Sequence, residues 1–172
     1  MEIFMDIQNS SLEDLLGKRT DPAFLQSLAH AVVVQMLFVL HHLEVARNIL
    51  HRDIKPANIL YTIEEGKYIF RLADFGLSKG CDDASAKSDL GTEFYKAPKV
   101  GNDVRQTPKM DIYSLYITLV NILNVENCRT HHVNDISAIL KTARANGYPI
   151  LKEYREMSEI WYLRGGYFPI AL

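Results

Sequence analysis

Residues 51–60 read HRDIKPANIL. Asp53, Lys55 and Asn58 follow one another at offsets of two and five, and apolar residues begin at once after them. Sixteen positions beyond Asn58 stands Asp74, inside ADFG at 73–76. Between the two clusters lie 59–62 and 68–72, both rich in β-branched and aromatic residues, separated by Glu64, Glu65, Gly66 and Lys67. That pattern predicts a β-hairpin. A hairpin here returns Asp74 to the neighbourhood of Asp53 and Asn58. Taken singly, each polar residue reads as a turn-forming acid, a solvated lysine or a strand cap. Four at this spacing, joined by a two-stranded ribbon, read as a site.

Upstream, residues 2–7 predict a short strand, followed by a polar turn at Gln8, Asn9 and Ser10. Ser11 is placed to cap a helix through Leu16 that Gly17 closes. Asp21 followed by Pro22 starts a second helix, with proline at its first position. From there Leu25, Leu28, Ala29, Val32, Met36, Leu40 and Leu43 recur at steps of three and four, the stripe of a core helix. His41 and His42 lie on it without a carboxylate or cysteine at ligand spacing, so they do not read as a metal site. Downstream, 77–96 is small, polar and irregular, a loop. Helical periodicity returns over 109–125, and Ser137 to Ala145 predicts a further helix ended near Gly147 and Pro149.

The whole chain of 172 residues is 48% hydrophobic and 23% charged, enough for one domain with a real core. A net charge of -2 gives no basic excess for nucleic acid or for an anionic membrane surface. No run approaches the roughly 18 consecutive apolar residues of a membrane span. The N-terminus has no signal-peptide pattern. Two distant cysteines, Cys81 and Cys128, read as thiols in a reducing, intracellular and cytoplasmic setting.

HRDIKPAN and ADFG, in this order, resemble the catalytic loop and the metal-binding loop of eukaryotic protein kinases. The resemblance continues through GTEFYKAP at 91–98, similar to the family's substrate-docking loop. DIYSL at 111–115 is similar to the start of its buried central helix. It implies an α+β, predominantly helical fold: the large lobe of a serine/threonine kinase with a small hairpin at the site. Residues 1–8 would be the hinge strand, 9–125 the catalytic core and 126–172 a divergent C-terminal part of the same single domain.

The resemblance also implies roles. Asp53 would accept or orient the proton of the attacking hydroxyl, and Lys55 would offset charge on the transferred phosphoryl group. Thr92 would hydrogen-bond toward both. Asn58 and Asp74 would hold Mg²⁺, a hard cation that takes few protein oxygens. ATP would lie against Met5, Asp6, Lys55 and Asn58, with Leu60 beneath the adenine. His51 and Phe75 would pack under the site, and Asp111 would be buried, accepting hydrogen bonds from catalytic-loop amides. Arg52 would receive an activation-loop phosphate, with Ser85 and Ser88 as candidate acceptors. The implied partners are a protein substrate with Ser or Thr and a kinase bearing a small lobe.

Departures from the family pattern shape the expectation. The nine glycines never fall two apart, so the family's Gly-rich loop has no counterpart, and the small lobe is expected to be absent. The family's A-P-E reads Ala97-Pro98-Lys99, and only Arg164 is placed late enough to face it. Losing one partner of such a buried ion pair costs about 3–5 kcal/mol. Tyr113 and Tyr116 replace the tryptophan and glycine usual in the central helix. Two functions are compatible with this pattern: a catalytic lobe that phosphorylates proteins when a small lobe completes it, or a catalytically silent, kinase-derived module that binds a protein partner.

Overall fold

The computed structural model of the chain describes residues 8–81, 91–97, 106–129, 137–139, 141 and 154. The strand expected at 2–7, the hinge residues Met5 and Asp6, Ser85, Ser88, Pro98, Lys99, Arg164 and most of 126–172 lie outside them.

Ser10, expected in a polar turn with Gln8 and Asn9, lies instead in a two-residue strand with Ser11, β1 (Ser10–Ser11), because their backbone finds partners in a later strand. Ser11 then caps α1 (Leu12–Lys18), its hydroxyl accepting from Asp14 N at 3.1 Å. Gly17 does not close this helix. It is helical, and the turn runs on to Lys18 before Arg19 becomes extended. The next helix imposes the stop, because Asp21 must be extended both to precede Pro22 and to act as its cap. That helix, α2 (Pro22–His41), opens with the Asp21 carboxylate accepting from Phe24 N at 2.7 Å. It widens into one π-type turn over His42–Ala46.

Strand β2 (Ile49–Leu50) leads into the polar cluster, and a 3-10 turn at Pro56–Asn58 leads out of it. Strands β3 (Ile59–Glu64) and β4 (Lys67–Leu72) then pair antiparallel, from Ile59 opposite Leu72 to Glu64 opposite Lys67. The turn residues Glu65 and Gly66 both have positive φ, 50° and 76°, which matches the twist of a tight hairpin. β1 pairs with β3 on its other side. Strand β5 (Lys79–Gly80) returns to pair with β2, so the loop predicted from 77 onward begins with a sheet contact. Last comes α3 (Pro108–Ile122), with a 3-10 turn at Val125–Asn127.

The core is the seam between α2, β4 and α3. The predicted stripe of α2 is buried, and Val33 and Leu37 broaden it. Opposite stand Phe70, Ile112, Leu115, Leu119 and Ile122. With its continuation to Ala46, α2 is long and apolar enough to cross a membrane by length and composition. Its apolar stripe is spent on the hairpin and α3, as in the core helix of a globular fold. Gln35 fastens the helix to the hairpin: its Nε2 donates to Tyr68 O at 3.0 Å and its Oε1 accepts from Phe70 N at 2.8 Å. Tyr154 packs on α3, its ring 5.7 Å from that of Tyr116 and its hydroxyl donating to Ile112 O at 2.6 Å.

Candidate active site

The loop after β2 cannot be held by strand pairing, and it takes an unusual path. Arg52 has φ 73°, a left-handed conformation that costs a side-chain-bearing residue roughly 1 kcal/mol or more. Asp111, in the first turn of α3, holds it there. His51 N donates to Asp111 Oδ2 at 2.7 Å, and Arg52 N donates to Oδ1 at 2.9 Å. Asp111 is 5% exposed. Burial raises its carboxyl above the ordinary value, and these two amides, with the nearby charge of Arg52, work against that rise. The buried acceptor expected from the sequence is therefore present.

His51 is fully buried. Burial lowers its pKa below the ordinary 6.5, despite the neighbouring acids, so the ring is neutral near pH 7. Nε2 faces Ala73 O at 3.0 Å, which requires that nitrogen to carry the proton. Nδ1 is then the acceptor for Asp53 N, at a long 3.4 Å. Phe75 meets the ring edge-on at 4.8 Å between centroids. Phe75 is 46% exposed, so it packs on His51 from the surface and is not buried under the site.

Asp53 is the hub, and it is 8% exposed. Its Oδ2 accepts from Lys55 Nζ at 2.7 Å and from Asn58 Nδ2 at 2.9 Å. Its Oδ1 accepts from Thr92 N at 3.2 Å and from Thr92 Oγ1 at 3.0 Å. Lys55 Nζ also donates to Thr92 Oγ1 at 2.8 Å, closing a ring of three residues. Burial acts to raise the Asp53 carboxyl, but the hydrogen bonds and charge of Lys55, with Thr92 and Asn58, outweigh it and leave it below the usual carboxylate range. Such a carboxylate is a weak base and a good acceptor, suited to orienting a hydroxyl.

Asn58 Nδ2 also donates to Asp53 O at 2.8 Å, so the amide nitrogen is committed to Asp53 and the side-chain oxygen faces away from it. Asn58 O accepts from Ala73 N at 2.9 Å, which draws the ADFG turn against the catalytic loop. Asp74 comes next at φ 62°, exposed, and one of its carboxylate oxygens accepts from Gly76 N at 3.3 Å. Its charge is close enough to bear on His51. An amide oxygen and a carboxylate are the kinds of hard oxygen donor that Mg²⁺ takes. Leu60 lies partly buried on β3, opposite Arg71 and Ser11.

The 91–97 segment reaches the site from a 3-10 turn, Glu93–Tyr95, that is tied to α3 by Ser114 Oγ donating to Tyr95 O at 2.8 Å. Asp53, Lys55, Asn58 and Thr92 are thus one hydrogen-bonded unit, to which the residue before Asp74 is tied by Ala73 N donating to Asn58 O. Met5 and Asp6 lie outside the described residues. Two features escaped the sequence reading. The His51–Ala73 bond joins two motifs across 22 positions, and Gly91 sits directly against Arg52. The glycine before Thr92 was the visible signal for the second.

Comparison with known proteins identifies the family. The family model described as the protein kinase domain matches residues 1–161. The serine/threonine-protein kinase D1044.8 of Caenorhabditis elegans is 31% identical over 92% of this chain, which covers 15% of that protein. Serine/threonine-protein kinase 10 of Homo sapiens is 34% identical over 77% of the chain and 14% of its own length. Serine/threonine-protein kinase nekl-2 of Caenorhabditis elegans is 35% identical over 67% of the chain and 32% of its own length. The chain therefore spans no more than about a third of these relatives. With the match covering most of its residues, the chain belongs to the protein kinase domain family.

Proposed function

We propose that this chain carries the catalytic lobe of a serine/threonine protein kinase. It transfers the γ-phosphoryl group of ATP to a Ser or Thr hydroxyl of a protein when a nucleotide-covering lobe completes it. The observation that carries the reading is the hydrogen-bonded unit of Asp53, Lys55, Asn58 and Thr92. Phosphoryl transfer asks a protein for alignment and charge neutralisation more than for covalent help.

Each side chain has a task in that scheme. Asp53 orients the attacking hydroxyl and takes its proton late in the transfer. Lys55, shared between Asp53 and Thr92, moves its charge toward the phosphoryl oxygens. Thr92 keeps the carboxylate in place as Lys55 shifts. Asn58 and Asp74 would hold Mg²⁺, which would supply neutralisation of phosphate charge. Leu60 contributes apolar surface to the nucleotide side.

The 172 residues contain no G-x-G for covering phosphates. By themselves they are expected to bind Mg-ATP weakly and turn over very slowly, since positioning and electrostatic terms each contribute several kcal/mol to the barrier. The test is an ATP titration with and without Mg²⁺, followed by calorimetry. The expected result is Mg-dependent binding that Asn58→Ala and Asp74→Ala each weaken roughly tenfold or more, and trace phosphoryl transfer that Asp53→Asn removes. Binding indifferent to Mg²⁺ and to both substitutions would overturn the catalytic reading in favour of a silent partner-binding module. Rapid turnover by the chain alone would overturn the need for a second lobe.

A further inference from the structure

Gly91 has φ 102°, where an L side chain is strained. A Cβ built there would lie 2.7 Å from the backbone oxygen of Arg52, a distance that real Cβ atoms do not tolerate. Arg52 has little room to retreat. Its amide is held by Asp111 Oδ1, and the neighbouring His51 carbonyl accepts from Ser78 Oγ at 3.4 Å. The residue after Gly91 is Thr92, whose amide and hydroxyl both reach Asp53 Oδ1. The residue after Arg52 is Asp53 itself. Gly91 and Arg52 are thus the backbone contact that sets the distance between Thr92 and Asp53.

We infer that Gly91 is a positioning residue: the absence of a side chain there lets the 91–97 segment seat on the Arg52 carbonyl and places both Thr92 donors on Asp53. A methyl group at 91 moves the segment away and detaches Thr92. Lys55 then loses its second partner, and Asp53 Oδ1 is left to water. The structural part of this inference stands on geometry. Its catalytic consequence rests on the role of Asp53 proposed above.

A control is built into the chain. Gly66 also has positive φ, 76°, but nothing lies within 4 Å of a Cβ added to it. Gly66→Ala therefore imposes the backbone strain without the collision. The experiment is amide hydrogen exchange at Thr92, read by NMR in the wild-type chain, Gly91→Ala and Gly66→Ala. The Thr92 amide, which donates to Asp53 Oδ1, is expected to be protected in wild type and in Gly66→Ala and to lose that protection in Gly91→Ala. Retained protection in folded Gly91→Ala overturns the inference. Should Gly91→Ala fail to fold, the wild-type chain decides: a protected Thr92 amide sustains the inference and an unprotected one overturns it. Where transfer is measurable, Gly91→Ala is expected to lower kcat roughly 10–100-fold with little change in the KM for ATP. Lost protection with unchanged kcat sustains the positioning role and sinks the catalytic reading of Asp53 instead.

Discussion

Single atoms decide the chemistry of the site. Asp53 offers two oxygens, and each already accepts two donors. Its carboxyl is held below the ordinary 3.8, so the unfolded chain takes up that proton first as the solution is acidified. Its contribution to stability is therefore fully present above about pH 3.8 and is lost as pH falls through the lower, folded value. The stability difference between wild type and Asp53→Asn should accordingly shrink between about pH 5 and about pH 2 in urea unfolding. A constant difference across that range would show that Asp53 is not held as described. Asp111 is judged by subtraction. Asp111→Ala leaves the His51 and Arg52 amides buried without their acceptor, at about 1–3 kcal/mol each. Asp111→Asn keeps one acceptor oxygen and should lose about half as much in the same measurement. The buried acid of 111 was legible in the sequence only through its place in DIYSL. That its two oxygens serve two successive amides was not legible, because nothing local to either segment requires it.

Among the elements, the hairpin was the most legible. Its strands are β-branched and aromatic, and its turn carries a glycine, so local preference and final structure agree. What holds it to the core was hidden. Gln35 reads as a polar position on a helix face, yet it closes two backbone hydrogen bonds on the edge of β4. Gln35→Ala exposes Tyr68 O and Phe70 N to a half-buried gap, and it should cost about 1–3 kcal/mol and speed amide exchange at Phe70. Unchanged exchange at Phe70 would mean the clamp contributes nothing. The end of α1 illustrates the opposite error. Gly17 is a common helix terminator, but no left-handed turn is needed there, and the neighbouring Asp21–Pro22 start signal sets the boundary instead.

Across the molecule, the seam of α2, β4 and α3 fixes the platform, and Tyr154 packs against it. Its ring stacks on Tyr116, the residue that stands where the family pattern has glycine, and its hydroxyl satisfies Ile112 O. Tyr154→Phe should lose about 1 kcal/mol with the hydrogen bond, and Tyr154→Ala about 3–5 kcal/mol with the buried ring, read as urea midpoints. Equal midpoints for Tyr154→Ala and wild type would show that Tyr154 adds no stability. The sequence by itself determined which groups could form a site and which elements carry them, because spacing, caps and strand propensity act over a few residues. The family pattern already pointed Thr92 at Asp53 and Asp111 at the catalytic-loop amides; only the tertiary structure decided that both Thr92 donors share Asp53 Oδ1, that His51 and Arg52 supply the two amides on Asp111, and that a side chain at Gly91 would meet the Arg52 carbonyl. Those facts depend on packing between distant segments, where a small displacement turns a hydrogen bond into a collision, and no local preference encodes that distance.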